Sequence, residues 1–389
     1  MKTQIMLITI ISIMISSGCY GLKGNPEPEN SGLAAFKVEL ADNFDPGTPE
    51  KRLEKAERYD LSINISALDY NREVLKDYNG TVEIALQYGK ITSVARADLK
   101  NGVLTDFPVE MRYILGKEKI VVHELIIDEA KSSKDSVVYK RSGKLGVSET
   151  IYPPLASISE IQGNNSGSKG FDSKYNNRNL NLKGKTMVVT AVIEGGFYLA
   201  EVGVEDYGAI YLYTYSTPYV DDPDVGYSLP IGSIIEEANG SVFEFFGFTE
   251  MSFPTFKPKY KTVDGKKRIV VDESLVPEPF DISDLLSSNS DMEKKEASIV
   301  TVKNVTVDWF NEHDSSFVEY GQFPLKTESG GSIMAQTLYT APSFDPLKER
   351  DAQTKRKFNF TGVLKQHTSA RPSTWILVPI DSNDIEVIE

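Results

Sequence analysis

Apolar and polar residues alternate along most of this chain, and that period of two narrows its choice of fold more than any other feature. Successive side chains of a β-strand point to opposite faces, so alternation leaves a sheet with one apolar face to bury. Leu61, Ile63 and Ile65 alternate with Ser62, Asn64 and Ser66, and Val82, Ile84 and Leu86 with Thr81, Glu83 and Ala85. Met111–Leu115, Ile120–Ile127 and Ser136–Tyr139 are further strand-like runs, bounded like the others by Gly, Asn, Asp and Pro. Helical spacing is confined to Pro49–Arg58, Asp281–Ser288 and Pro346–Asp351. About seven short strands ahead of residue 143 predict an immunoglobulin-like β-sandwich over residues 33–142.

The texture changes near Gly143. Pro153-Pro154 breaks the alternation and Asn164–Asn179 is polar and rich in Gly and Asn, so a boundary is expected close to Ile151. Beyond it the chain repeats itself. Ser157–Ile161 (S-I-S-E-I) matches Asp281–Leu285 (D-I-S-D-L), and Lys185–Val192 (K-T-M-V-V-T-A-V) matches Ala297–Val305 (A-S-I-V-T-V-K-N-V). Phe243–Gly247 (F-E-F-F-G) matches Phe358–Gly362 (F-N-F-T-G), in the same order and at similar spacing. Each unit, 143–280 and 281–389, reads as a short helical lead-in followed by five or six strands, which suits a small barrel.

Within the first unit, S-E-I-Q-G, G-K-T-M-V-V-T-A-V, G-G-F-Y-L-A and F-E-F-F-G-F-T-E run from Ser159 to Glu250. Together they resemble the OB-fold module that accompanies the catalytic domain of secreted bacterial nucleases. The C-terminal unit, ending in W-I-L-V-P-I-D-S-N-D-I (Trp375–Ile385), looks like its partner copy. The wider arrangement resembles uncharacterised Gram-negative bacterial lipoproteins, in which a segment like G-V-S-E-T-I-Y (Gly146–Tyr152) leads from an immunoglobulin-like stretch into such a module. The resemblance implies a mainly β chain, with an immunoglobulin-like sandwich followed by two OB-like barrel units, in the cell envelope. It does not imply nuclease activity, because the nuclease's catalytic domain is absent.

The N-terminus has the layout of a secretory signal over residues 1–18. Lys2 supplies the positive start, Ile5–Ile15 is almost wholly apolar, and Ser16, Ser17 and Gly18 lead into Cys19. That run is too short to span a bilayer about 30 Å thick. I-S-S-G-C resembles the lipobox of bacterial lipoproteins, whose cysteine is acylated, so Cys19 is the expected lipid attachment site and the membrane the first expected partner. Residues 19–32, rich in Gly, Pro, Asn and Glu, read as a flexible tether. The expected location is the outer membrane, on a periplasmic or surface face.

A net charge of −14 argues against non-specific nucleic-acid binding, which runs on Lys and Arg neutralising phosphates. The single cysteine leaves no disulfide within the chain and no thiolate zinc site. His123, His313 and His367 fall in no metal or nucleophile motif, and neither G-x-S-x-G nor a P-loop occurs. No catalytic residue, metal or cofactor is therefore assigned. Asp221, Asp222 and Asp224, with Glu205 and Asp206, invite a calcium reading but lack loop spacing, and read as a solvated loop. Two features point to ligands. Tyr211, Tyr213 and Tyr215 alternate and would share one strand face, either stacking nucleobases or sugars or packing in the sheet. Lys257, Lys259, Lys261, Lys266, Lys267 and Arg268 flank Asp264-Gly265, a hairpin turn, and would form an anion-binding patch or protect a sheet edge. The expected function is a non-enzymatic binding or structural module with a protein or polymer partner in the envelope. The alternative is OB-fold binding of extracellular nucleic acid or polysaccharide beside a separate enzyme, with nucleic acid not favoured.

Overall fold

A computed structural model describes residues 32–388, apart from 57, 134–135, 164–171 and 368–373. The chain is mainly β and divides at Pro153/Pro154 into two compact units. Cys19, the signal-like segment and nearly all of the tether lie outside the described residues.

The first unit holds two four-stranded antiparallel sheets. One runs β1 (Ala35–Leu40), β2 (Arg58–Leu68), β6 (Val103–Arg112), β4 (Lys90–Ile91). The other runs β5 (Arg96–Asp98), β3 (Thr81–Leu86), β7 (Ile120–Ile127), β8 (Tyr139–Val147). Alternation does what the sequence implies: Leu61, Ile63 and Ile65 of β2, Val82 and Ile84 of β3, Met111 of β6 and Val122 of β7 share one buried core between the sheets. Each such side chain contributes about 1.5–3 kcal/mol of burial.

Two expectations about this unit need correction. The unit extends past residue 142, because β8 pairs with β7 through Val147 and Ile151 still bridges to Glu118. Residues 49–56 are not helical. Long-range bonds hold them open: Arg52 donates to Gly116 O at 2.5 Å and Pro153 O at 2.9 Å, and Leu53 N–H donates to Tyr152 O at 2.9 Å. Tertiary partners override a weak local preference.

The second unit contains two closed five-stranded barrels. In the first, β9 (Arg178–Ile193), β10 (Gly196–Glu201), β11 (Ala209–Tyr213), β12 (Ile234–Phe245) and β13 (Phe248–Pro258) close in the order β10-β11-β13-β12-β9. A hairpin, β14 (Tyr260–Val263) and β15 (Lys266–Ile269), and a short β16 (Phe280–Asp281) lead onward. The second barrel is β17 (Ile299–Val307), β18 (Gln322–Thr327), β19 (Ser332–Gln336), β20 (Phe358–His367) and β21 (Thr374–Val378), with β16 and β22 (Ile385–Val387) at its flanks. In each barrel the third and fifth strands are parallel, and the first pairs with both the second and the fourth.

Two of the three sequence repeats fall on equivalent strands. Lys185–Val192 lies in β9 and Ala297–Val305 covers most of β17, both first strands; Phe243–Gly247 and Phe358–Gly362 mark the fourth strands. The third pair is not equivalent. Ser157 caps α1 (Ile158–Gln162) by accepting from Glu160 N–H at 3.1 Å. Asp281–Ser288, expected to be helical, instead finishes β16 and turns, since Asp281 accepts from Ser283 N–H at 3.0 Å and Ile282 N–H donates to Thr301 O at 3.0 Å. A carboxylate that satisfies its own local backbone favours a turn over a helix. The helix comes later, as α2 (Asn289–Glu293), followed by α3 (Ser315–Tyr320) and α4 (Pro346–Asp351), the last as expected.

Candidate functional site

The tyrosine row is split by burial. On β11, Ala209, Tyr211 and Tyr213 share one face, while Ile210 and Leu212 are fully buried on the other. That first face is where the two barrels meet. Tyr211 packs with Tyr198 at 4.8 Å and Phe248 at 5.9 Å, in one cluster with Val363, Ile376 and Val378 of the second barrel. Tyr211 is therefore part of the seam and unavailable for stacking on a ligand. Tyr213 is half-buried at its margin. Tyr215 lies beyond the strand and is 75 % exposed.

The exposed end of the row acquires a partner that the sequence reading missed. Phe253 contacts Tyr213 edge-on at 5.7 Å, Tyr213 contacts Tyr215 at 6.2 Å, and Phe253 is 71 % exposed. A bulge explains it: β13 carries one extra residue opposite β12 between Ser252 and Thr255, and Phe253 takes φ 48°. Tyr215 has φ 68°. Left-handed backbone at non-glycine residues costs about 1–3 kcal/mol and concentrates at functional sites. The only signal in the sequence was Pro254, which disfavours regular pairing at that point.

The hairpin forms as expected, with Lys261 opposite Arg268 and Val263 opposite Lys266 across the Asp264-Gly265 turn. Its cations have unequal tasks. Arg268 is structural: it pairs with buried Asp222 at 3.2 Å and with Asp224, while Asp222 also accepts from Ile269 N–H at 2.9 Å. The Ile269 N–H and the Asp224 N–H, with Arg268, hold the Asp222 carboxyl below the usual carboxylate range. This corrects the solvated-loop expectation for Asp222, while Asp221 and Asp224 are exposed, and removes Arg268 from the anion-binding set. Lys257 pairs with Glu236 at 2.8 Å, and Lys267 sits 3.7 Å from the centre of the Tyr260 ring. Lys259, Lys261 and Lys266 complete the patch. The hairpin lies beyond the far end of β13, about 20 Å along the chain from the level of Tyr213, so row and hairpin are separate features. Tyr219 and Tyr227, stacked at 5.3 Å, line the loop that Arg268 ties down.

Behind the seam lies a set of buried carboxyls with no sequence signature. Glu244, near the end of β12, accepts from Ser173 N–H and Thr249 Oγ1, both at 2.8 Å; Glu296 accepts from Thr249 N–H at 3.0 Å. Burial pushes the Glu244 carboxyl up to about 7. Burial pushes Glu293 and Glu296 well above the ordinary range, helped by the charges of Glu244 and Asp172 on Glu293 and of Glu293 and Glu244 on Glu296. One oxygen of each of these three side chains, and the Tyr198 hydroxyl, has no hydrogen-bond partner among the described residues. Lys365, 5.5 Å from the Phe248 ring, faces Glu250 there; burial pushes its ammonium down and Glu250 opposes that.

His123 is half-buried on β7, where burial lowers its pKa. His313 is exposed and His367 stacks on Phe246 at 4.8 Å. Among the described residues no three His, Cys, Asp or Glu side chains are placed to hold a metal ion, and no helix is long and apolar enough to cross a membrane. No protein-family model, curated protein or solved structure matches the chain.

Proposed function

We propose that this chain is a non-enzymatic binding module of the bacterial cell envelope, lipid-anchored through Cys19, whose second unit is a pair of OB-fold barrels. The barrel assignment rests on strand order: a closed five-strand meander-and-return with the third and fifth strands parallel, repeated twice. The immunoglobulin-like assignment of the first unit rests on two facing antiparallel sheets with strands exchanged between them in chain order. The observation that carries binding is the Tyr213, Tyr215 and Phe253 cluster, in which exposed Tyr215 and Phe253 are held out by left-handed backbone and a bulge against half-buried Tyr213. Burying a flat aromatic against a polymer ring is worth about 1–3 kcal/mol per ring.

The alternative, an anionic polymer such as extracellular nucleic acid, is favoured by one observation: Lys259, Lys261 and Lys266 make no ion pair among the described residues. Fluorescence anisotropy with labelled single-stranded DNA, RNA and oligosaccharides at several salt concentrations tests both. Phe253→Ala and Tyr215→Ala should weaken binding without changing its salt dependence. Lys261→Gln with Lys266→Gln should flatten the slope only if phosphates are held, at about 0.7 per contact on single strands. Affinity unchanged by all four substitutions overturns the assignment. Anchoring has its own test: radioactive fatty-acid label that persists in Cys19→Ala overturns it.

A further inference from the structure

The end of the second barrel where β17 and β19 finish carries a surface with no role so far. Trp309 is 75 % exposed and Tyr339 73 %, with Tyr320 and Leu338 also exposed. Three segments hold these side chains in place. Asp308 N–H donates to Pro324 O at 3.0 Å, Trp309 N–H to Asp308 Oδ1 at 2.9 Å, and Arg350 to Phe310 O at 3.0 Å, so the backbone is pinned on both sides of the indole. Tyr320 ends α3, whose Phe317 packs on Phe310 at 4.7 Å. Gly321, at φ 65°, closes that helix, and a side-chain carbon there would collide with Leu338, so glycine lets the exit of β19 lie against the helix end. Tyr339 rides on a turn closed by Ala341 N–H to Thr337 O at 2.9 Å. Between them Gln322 and Gln336 pair across β18 and β19, on the face opposite buried Phe323 and Ala335, sharing an amide hydrogen bond at 3.3 Å.

Aromatic side chains on a fixed backbone lose little conformational entropy on binding. Charge then selects the ligand. Across residues 308–326 and 332–341 the only Lys or Arg is Lys326, which pairs with Asp308 at 3.8 Å, and the nearby Arg350 pairs with Glu312 at 2.9 Å, whereas Asp314 and Glu319 add negative charge. An anionic polymer is repelled by such a rim. Aromatic faces beside primary amides match the C–H faces and hydroxyls of a sugar. We propose that this end of the second barrel binds an uncharged oligosaccharide, with Trp309 and Tyr339 as stacking platforms and the Gln322 and Gln336 amides as hydrogen-bond partners. The surface is distinct from the Tyr213–Tyr215–Phe253 cluster and does not depend on it.

Calorimetry and tryptophan emission on the purified full chain, titrated with cellotetraose, chitotetraose and maltotetraose, test the assignment. Trp375 is buried and bonded to Asn289, so a binding-induced change in emission reports Trp309. At least one sugar should bind saturably and shift the emission. Trp309→Ala, at a site too exposed to threaten the fold, should weaken that binding about tenfold or more, Trp309→Phe should weaken it less, and Tyr70→Ala, at an exposed aromatic of the first unit, should leave it unchanged. Absence of saturable binding for all three sugars overturns the proposal. So does a loss with Tyr70→Ala as large as with Trp309→Ala, or protection of Trp309 from acrylamide quenching by single-stranded DNA in place of the neutral sugars.

Discussion

Arg268 and Lys266 stand two residues apart on one strand of a basic hairpin, yet they do different physical work. Arg268 is largely buried and its guanidinium reaches Asp222, a carboxylate that also takes two backbone N–H groups. Removing the cation leaves that carboxylate enclosed with an unpaired charge, a costly arrangement. Arg268→Ala should therefore lower the melting temperature of the second unit by several degrees, whereas Lys266→Gln should leave it unchanged. Thermal unfolding followed by far-ultraviolet circular dichroism reads both. Equal melting temperatures for the two variants would show that the 221–224 loop does not depend on Arg268.

At the scale of a strand, β11 shows how alternation divides labour. Tyr211 and Tyr215 share a parity in the sequence, but the strand ends at Tyr213 and the second barrel covers only its earlier part. Tyr211→Ala opens a cavity in the seam and should cost about 3 kcal/mol or more in urea denaturation, while Tyr215→Ala should stay within about 0.5 kcal/mol. Similar losses from both would mean that the seam is not packed as described. The bulge in β13 supplies a second contrast. Phe253 sits in left-handed backbone that asparagine tolerates, so Phe253→Asn should hold or raise stability by up to about 1 kcal/mol while weakening aromatic binding. A clear loss of stability there would argue that the ring packs as core.

For the molecule as a whole, the buried carboxyls make the second unit sensitive to pH in an unusual direction. Folding raises the Glu244 carboxyl to about 7 and lifts Glu293 and Glu296 further, so the folded state holds these protons more tightly than the unfolded chain. Their contribution is complete below the unfolded value near 4.5 and is lost as pH rises through about 7 and beyond. Asp172, Glu250 and Lys365 face the same region; the Asp172 charge acts with the three glutamates, and Lys365 offsets Glu250. The melting temperature of residues 154–389 should fall between pH 5 and pH 9, and Glu293→Gln, which needs no proton to stay neutral, should flatten that fall. A profile that rises over the range, or a slope indifferent to Glu293→Gln, would contradict this account.

Alternation and turn residues determine strands locally, which is why β2, β3, β7 and the Asp264-Gly265 hairpin were legible from the sequence, and why repeated strings marked equivalent strands of two barrels. What stayed hidden depends on neighbours far along the chain. Whether Tyr211 meets solvent is decided by Val363 and Ile376, more than 150 residues away; whether Arg268 is free is decided by Asp222; and Glu293 is unusual because it is buried within reach of the Glu244 and Asp172 charges. The period of two says that a side chain faces one way or the other, and only the tertiary structure supplies what lies on that side.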